Sequence, residues 1–252
     1  MTEKAMTEKA VTEKAVTEKP IAEKLVTEEI IETREELARH IDVSCVQAFH
    51  TRDEIDRMIE AAKKYRFACV FTLPAFSSYV AERLFREPDI SAGGVVSFPG
   101  GGDTILQKGR QARELREMGC GEIDMVMNLT AFKSGEYAYV SEDIMAVIDN
   151  AAGIPVKVII ETPYLAEEEI RRAVDLCAEA GAAYVKTSTG WHQEKTQLEH
   201  IRIMASQARG RIRLKAAGGI RTVETIRGMA QAGCSRFGLG LKPAIQVMED
   251  MY

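Results

Sequence analysis

No stretch of this chain stays apolar for the ~18 residues that a membrane helix requires, so no bilayer span is expected. The first residues are charged and repetitive and hold no apolar run of the signal-peptide kind, so a secretory signal is not expected either. Histidine is scarce. His40, His50, His192 and His200 show no HxH or HExxH spacing, and a metal site is therefore not expected. The five cysteines (Cys45, Cys69, Cys120, Cys177 and Cys234) are scattered, odd in number and form no CxxC. Reduced core residues of a cytoplasmic protein are the expectation. Basic charge is not in excess: 33 Lys and Arg against 38 Asp and Glu leave a net charge of −5. Nucleic acid is thus excluded as the main partner, and a membrane surface gains no support.

What the chain does have is length and alternation. Its 252 residues, 46% hydrophobic, suit one barrel or two small domains. Residues 1–32 form a pentapeptide repeat (MTEKA, MTEKA, VTEKA) that advances ~500° per repeat on a helix. Its apolar positions therefore spiral and form no single stripe, and a solvated helix or disordered tail is expected there. From residue 33 onward, strand-like and helix-like segments alternate. The expected strands are 38–43, 67–73, 94–98, 122–127, 156–161, 183–187, 211–216 and 236–240. The expected helices are 51–65, 77–85, 104–118, 135–150, 166–180, 193–208, 222–232 and 243–251. Continuous apolar strands such as VKVII and DMVM suit a parallel sheet buried on both faces. Eight such units point to an α/β fold, a single-domain (β/α)8 TIM barrel over residues 33–252.

In such a barrel the chemistry sits where strands end and βα loops begin. Lys186 ends the sixth strand and Lys215 lies on the seventh, so the two lysines are expected to be neighbours. Burial and a neighbouring cation both favour the neutral amine, and a neutral amine attacks carbonyl carbon. Asp124 on the fourth strand faces them across the mouth, able to move protons or to hold Lys215 as a cation. Lys157 shares a strand face with Glu161, as a supporting group or as an internal ion pair. Asp42 and Ser44 end the first strand, and Thr189 follows the lysine strand. Gly190, Gly218, Gly219, Gly238 and Gly240 cluster on one rim, where backbone N–H groups suit a phosphate, and Arg221 and Lys242 lie close by.

Several motifs resemble the deoxyribose-phosphate aldolase family over residues 36–240. They are Glu122 to Asn128 (EIDMVMN), Lys133 to Gly135 (KSG), Lys157 to Thr162 (KVIIET), Val185 to Gly190 (VKTSTG) and Lys215 to Thr222 (KAAGGIRT). The resemblance implies a class I aldolase with Lys186 as the Schiff-base lysine, Lys215 as the partner that lowers its pKa, and Asp124 in the proton relay. It implies phosphate binding around Gly190, Gly218, Gly219, Arg221 and Gly238. It also implies small-molecule partners, a sugar phosphate and an aldehyde, with no cofactor. A homodimer or higher homo-oligomer stays open. Three departures are visible: Gly238 to Lys242 (GLGLK) replaces the family's paired serines, Ser44 follows Ile41-Asp42-Val43, and strand two ends Phe71-Thr72-Leu73-Pro74. Two other readings are carried: a related Schiff-base lyase with another aldehyde or ketone substrate, and a catalytically silent barrel that binds a sugar phosphate.

Overall fold

The computed structural model describes residues 31–191 and 195–251. The repeat expected over residues 1–32 lies, up to residue 30, outside the described residues. The strands are β1 (Ile41–Cys45), β2 (Cys69–Thr72), β3 (Ser91–Val96), β4 (Glu122–Val126), β5 (Val156–Ile159), β6 (Tyr184–Lys186), β7 (Arg213–Ala217) and β8 (Cys234–Gly240). Each pairs in parallel with the next, and β8 returns to β1, so the sheet closes as the eight-unit pattern requires.

Among the described residues, ten α-helices surround the barrel: α1 (Arg34–Arg39), α2 (Arg52–Tyr65), α3 (Ser77–Leu84), α4 (Ile105–Glu117), α5 (Leu129–Lys133), α6 (Tyr137–Ala151), α7 (Glu167–Glu179), α8 (Leu198–Ala208), α9 (Val223–Gln231) and α10 (Leu241–Asp250). In α2, Thr51 accepts from the Glu54 N–H while Glu54 reaches back to the Thr51 N–H, forming a capping box. Ile55, Met58, Ile59 and Ala62 then form the buried stripe, at helical spacing. Among the described residues, no helix is long and apolar enough to cross a membrane.

Several boundaries differ from expectation. Ala38 and Arg39 close α1 and do not open a strand, because a second capping box, Thr33 with Glu36, starts a helix just before them. The first strand consequently begins at Ile41. Strand β3 starts at Ser91 because Ala92, Gly93 and Gly94, poor strand formers alone, sit between two paired neighbours. Helix α5 follows from the Asn128 side chain accepting the Ala131 N–H. Helix α8 begins at Leu198, after non-helical residues 195–197, and the expected start at 193 lies outside the described residues. The main apolar core lies between barrel and helices. A smaller cluster inside the mouth joins Val46, Cys69, Phe71 and Val95.

Candidate active site

Register brings the charged side chains together. Lys186 is the direct partner of Lys215, and Asp124 of Lys157. Lys215 pairs with Arg236 across β7 and β8, and Asp42 with Gly238 across β8 and β1. Partners at one level of a parallel sheet face the same side, here the barrel interior.

Asp124 is the hub. Its Oδ2 accepts from Lys186 Nζ at 2.8 Å and from Lys215 Nζ at 2.7 Å, while its Oδ1 lies 3.3 Å from Lys157 Nζ. Asp42 Oδ2 lies 2.6 Å from Lys215 Nζ and 3.4 Å from Lys157 Nζ, and its Oδ1 accepts from Arg236 Nε at 2.6 Å. Glu122 closes the ring by pairing with Lys157 and by accepting from Arg236 Nη2 at 2.8 Å. Lys157 and Lys215, with Asp42 and Asp124, are almost wholly buried.

Four basic groups therefore surround three carboxylates: Lys157, Lys186, Lys215 and Arg236 against Asp42, Glu122 and Asp124. In a low-dielectric interior such a cluster balances best when one lysine is neutral. The bias falls on Lys186. Burial is the largest cause that lowers its ammonium to about 8, Lys215 pushes the same way, and Asp124 opposes both. Burial alone would raise the carboxyls of Asp42 and Asp124. The basic groups around each outweigh it and hold both well below the usual carboxylate range. Lys157 goes the other way: burial works against its charge, but Asp42, Asp124 and Glu122 raise it above an ordinary lysine.

Above the cluster opens a cavity of about 250 Å³. Its lining holds nearly every sequence-predicted site residue: Asp42, Ser44, Asp124, Lys186, Thr189, Gly190, Lys215, Gly218, Gly219, Arg221, Gly238 and Gly240. Gly218 and Gly219 take φ of 96° and 81°, a backbone that side-chain-bearing residues avoid, so the β7 exit turns sharply toward the cavity. The opposite wall is apolar, with Phe71, Val95 and Phe98. Trp191 donates its Nε1–H to the Val46 carbonyl at 3.0 Å and meets the Phe98 ring edge-on at 5.9 Å.

Lys157 takes the supporting role of the two expected for it: it does not line the cavity but lies beneath it, against Asp42, Glu122 and Asp124. Nor does it pair with Glu161, because β5 ends at Ile159 and Glu161 takes φ 55°, which turns its side chain to accept the Thr189 N–H. Arg236, Glu122 and Phe71 were not singled out from sequence. Their signal is spacing by two: Glu122 with Asp124, and Arg236 with Gly238, share inward faces. Asp42, Cys69 and Glu122 also converge closely enough to resemble a metal ligand set. Lys157 and Arg236 already neutralise both carboxylates there, and burial pushes the Cys69 thiol far above its ordinary value.

A closed eight-stranded barrel with two lysines converging on one buried aspartate at its C-terminal mouth belongs to the aldolase class of barrel enzymes. The chain belongs to the DeoC/LacD family of aldolases, whose model matches residues 40–239. It is 40% identical to the deoxyribose-phosphate aldolase of Klebsiella pneumoniae over 222 residues, 87% of this chain and 89% of that one. It is 41% identical to that of Methanothermobacter thermautotrophicus over 220 residues, covering 87% and 96%. Among solved structures, the aldolase QR15 superposes with a TM-score of 0.80 at 35% identity, covering 84% of this chain and 94% of QR15. The tetrameric deoxyribose phosphate aldolase of Aeropyrum pernix has a TM-score of 0.80 at 26% identity, with 87% and 92% covered.

Proposed function

We propose that this enzyme reversibly cleaves 2-deoxy-D-ribose 5-phosphate to glyceraldehyde 3-phosphate and acetaldehyde through a Schiff base on Lys186. The observation that carries the reading is the Lys186–Asp124–Lys215 triangle, whose nucleophile has its ammonium lowered to about 8, so that about a tenth of it is the neutral amine at pH 7. The family membership and the names of the relatives support the substrate.

The neutral amine of Lys186 adds to the C1 aldehyde of the open-chain sugar, and loss of water leaves an iminium. The iminium draws the electron pair of the C2–C3 bond. That bond breaks as the C3 hydroxyl gives up its proton, and C3 leaves as the aldehyde of glyceraldehyde 3-phosphate. The enamine left on Lys186 takes a proton at C2, and hydrolysis releases acetaldehyde and the free amine. Lys215 carries the protons in this scheme: it donates to the departing carbinolamine hydroxyl, takes the C3 hydroxyl proton, passes it to C2 of the enamine and recovers a proton on hydrolysis. Asp124, held far below the usual carboxylate range by the lysines beside it, accepts from Lys186 and Lys215 through one oxygen and orients the two amino groups for the relay.

The phosphate sits on the glycine rim in this reading, against backbone N–H groups at Gly190, Gly218, Gly219 and Gly238, with Arg221 adding charge. The five buried free cysteines support a cytoplasmic location. A homo-oligomer is proposed on the precedent of the tetrameric Aeropyrum pernix relative.

Reduction with borohydride in the presence of acetaldehyde tests the reading. One two-carbon adduct is expected at Lys186. An adduct at Lys215 alone, or none, overturns the assignment.

A further inference from the structure

Phe71 on β2 is buried, lines the cavity, and presents its ring to two of the network's ammonium groups. Lys215 Nζ lies 4.4 Å from the ring centroid and Lys157 Nζ 4.7 Å. A lysine ammonium has three N–H donors. For Lys215, two meet Asp42 and Asp124, at 2.6 Å and 2.7 Å, and the aromatic face is the remaining partner. The ring owes this position to its neighbour on β3. Phe71 is the register partner of Gly93, and a Cβ on Gly93 would lie 2.5 Å from the ring.

We infer that Phe71 is a positioning residue that keeps Lys215 a cation, and thereby directs loss of the proton to Lys186. The inference rests on the proposed aldol reaction. The electron-rich face of an aromatic ring attracts a cation, and the attraction grows when both are withdrawn from water. Here it adds a partial negative charge where carboxylates are one short of the basic groups. Asp124 contacts both lysines about equally and cannot by itself choose between them. Asp42 contacts Lys215 and not Lys186, and Phe71 contacts Lys215 and Lys157, so the ring adds to the asymmetry that Asp42 begins. The charged groups around Lys215 are Asp42 on β1, Glu122 and Asp124 on β4, Lys157 on β5, Lys186 on β6 and Arg236 on β8. The Cys69 thiol on β2 is pushed far up by burial and stays uncharged.

Fluorinated phenylalanines at position 71 test this, because they nearly keep the shape of the ring while draining its face. With none, one and three ring fluorines, the upper limb of the kcat/KM profile against pH is expected to move progressively lower, by about 0.5–1 unit in all. Acetaldehyde trapping at high pH is expected to place a growing share of adduct on Lys215. Phe71→Leu should show the same downward move. Profiles that superimpose after scaling, with all adduct on Lys186, would reduce Phe71 to packing and overturn the inference while leaving the aldolase reading intact. Absence of any adduct in the natural protein would overturn the aldolase reading itself.

Discussion

Lys186 sets stability against chemistry. Its ammonium is lowered from 10.5 to about 8 in the fold, so between those values the unfolded chain binds more protons than the native one. Stability therefore rises with pH across that window, and below it the full cost of the buried charge is present. At 1.36 kcal/mol per unit the cost is on the order of 3 kcal/mol. Lys186→Met removes it while Lys157 and Lys215 continue to neutralise Asp124. The variant is expected to be inactive yet to have a higher urea midpoint than the natural protein at pH 7, with the advantage shrinking toward pH 10. A lower midpoint at pH 7 would contradict the account. Lys215→Leu separates the causes differently. It removes one push on Lys186 and leaves burial, the larger one, in place. Most turnover should be lost, and the pH at which acetaldehyde traps Lys186 should rise by about one unit. Asp42 and Asp124 also each lose a buried partner, so about 3–5 kcal/mol of stability should go with it. Full activity would show that the lysines do not work as a pair.

The rim depends on how β8 hands over to α10. Gly240 is the N-cap of α10 and makes no side-chain cap, and a Cβ there would meet nothing closer than 3.9 Å. Gly240→Ser should therefore fit, supplying both a helix cap and a hydroxyl beside the glycine rim. One neutral hydrogen bond is worth about 0.5–1.5 kcal/mol net, so KM for deoxyribose 5-phosphate should fall about 2- to 10-fold. The unphosphorylated sugar should be almost unaffected, and an equal change for both sugars would place the phosphate elsewhere. Leu241→Ser is the poorer choice, since Leu241 is half-buried and packs against the core. Elements of this kind differ in how openly they show in sequence. The eight strand–helix units were readable because buried parallel strands are continuous apolar runs and helices carry caps. Helix α1 was hidden by the apolar Leu37 and Ala38, which read as strand until the Thr33–Glu36 cap is recognised. Lys186, Lys215 and Asp124 were readable because strand ends mark a barrel's working face. Phe71 and Arg236 were not, because their roles depend on which distant residues share their level, and register between strands is a tertiary property.

The barrel closes with the two ends of the described residues in contact. Arg34 donates from Nε and Nη2 to the Met251 carbonyl at 3.2 and 2.9 Å, and Met251 is itself buried. Ile31, the first described residue, is 6% exposed and belongs to the main core. The folded unit thus reaches back to Ile31, while the repeat before it has no apolar stripe with which to dock. A chain beginning at Ile31 should melt within about a degree of the full chain and keep its aldolase activity. A chain beginning at Thr33 loses the buried isoleucine, worth about 1.5–3 kcal/mol. For a chain of this size, each kcal/mol moves the melting temperature by about 2–4 °C. The shorter chain should therefore melt several degrees lower while kcat and KM at 25 °C stay the same, because Ile31 belongs to the main core and is not among the residues that line the cavity. Thermal melts and turnover on the three lengths decide the point. A large drop for the chain that begins at Ile31, or a change in oligomeric state, would show that the repeat packs on the barrel or on a second copy. Equal melting for all three would show that the core starts at α1 and that Ile31 adds nothing to it.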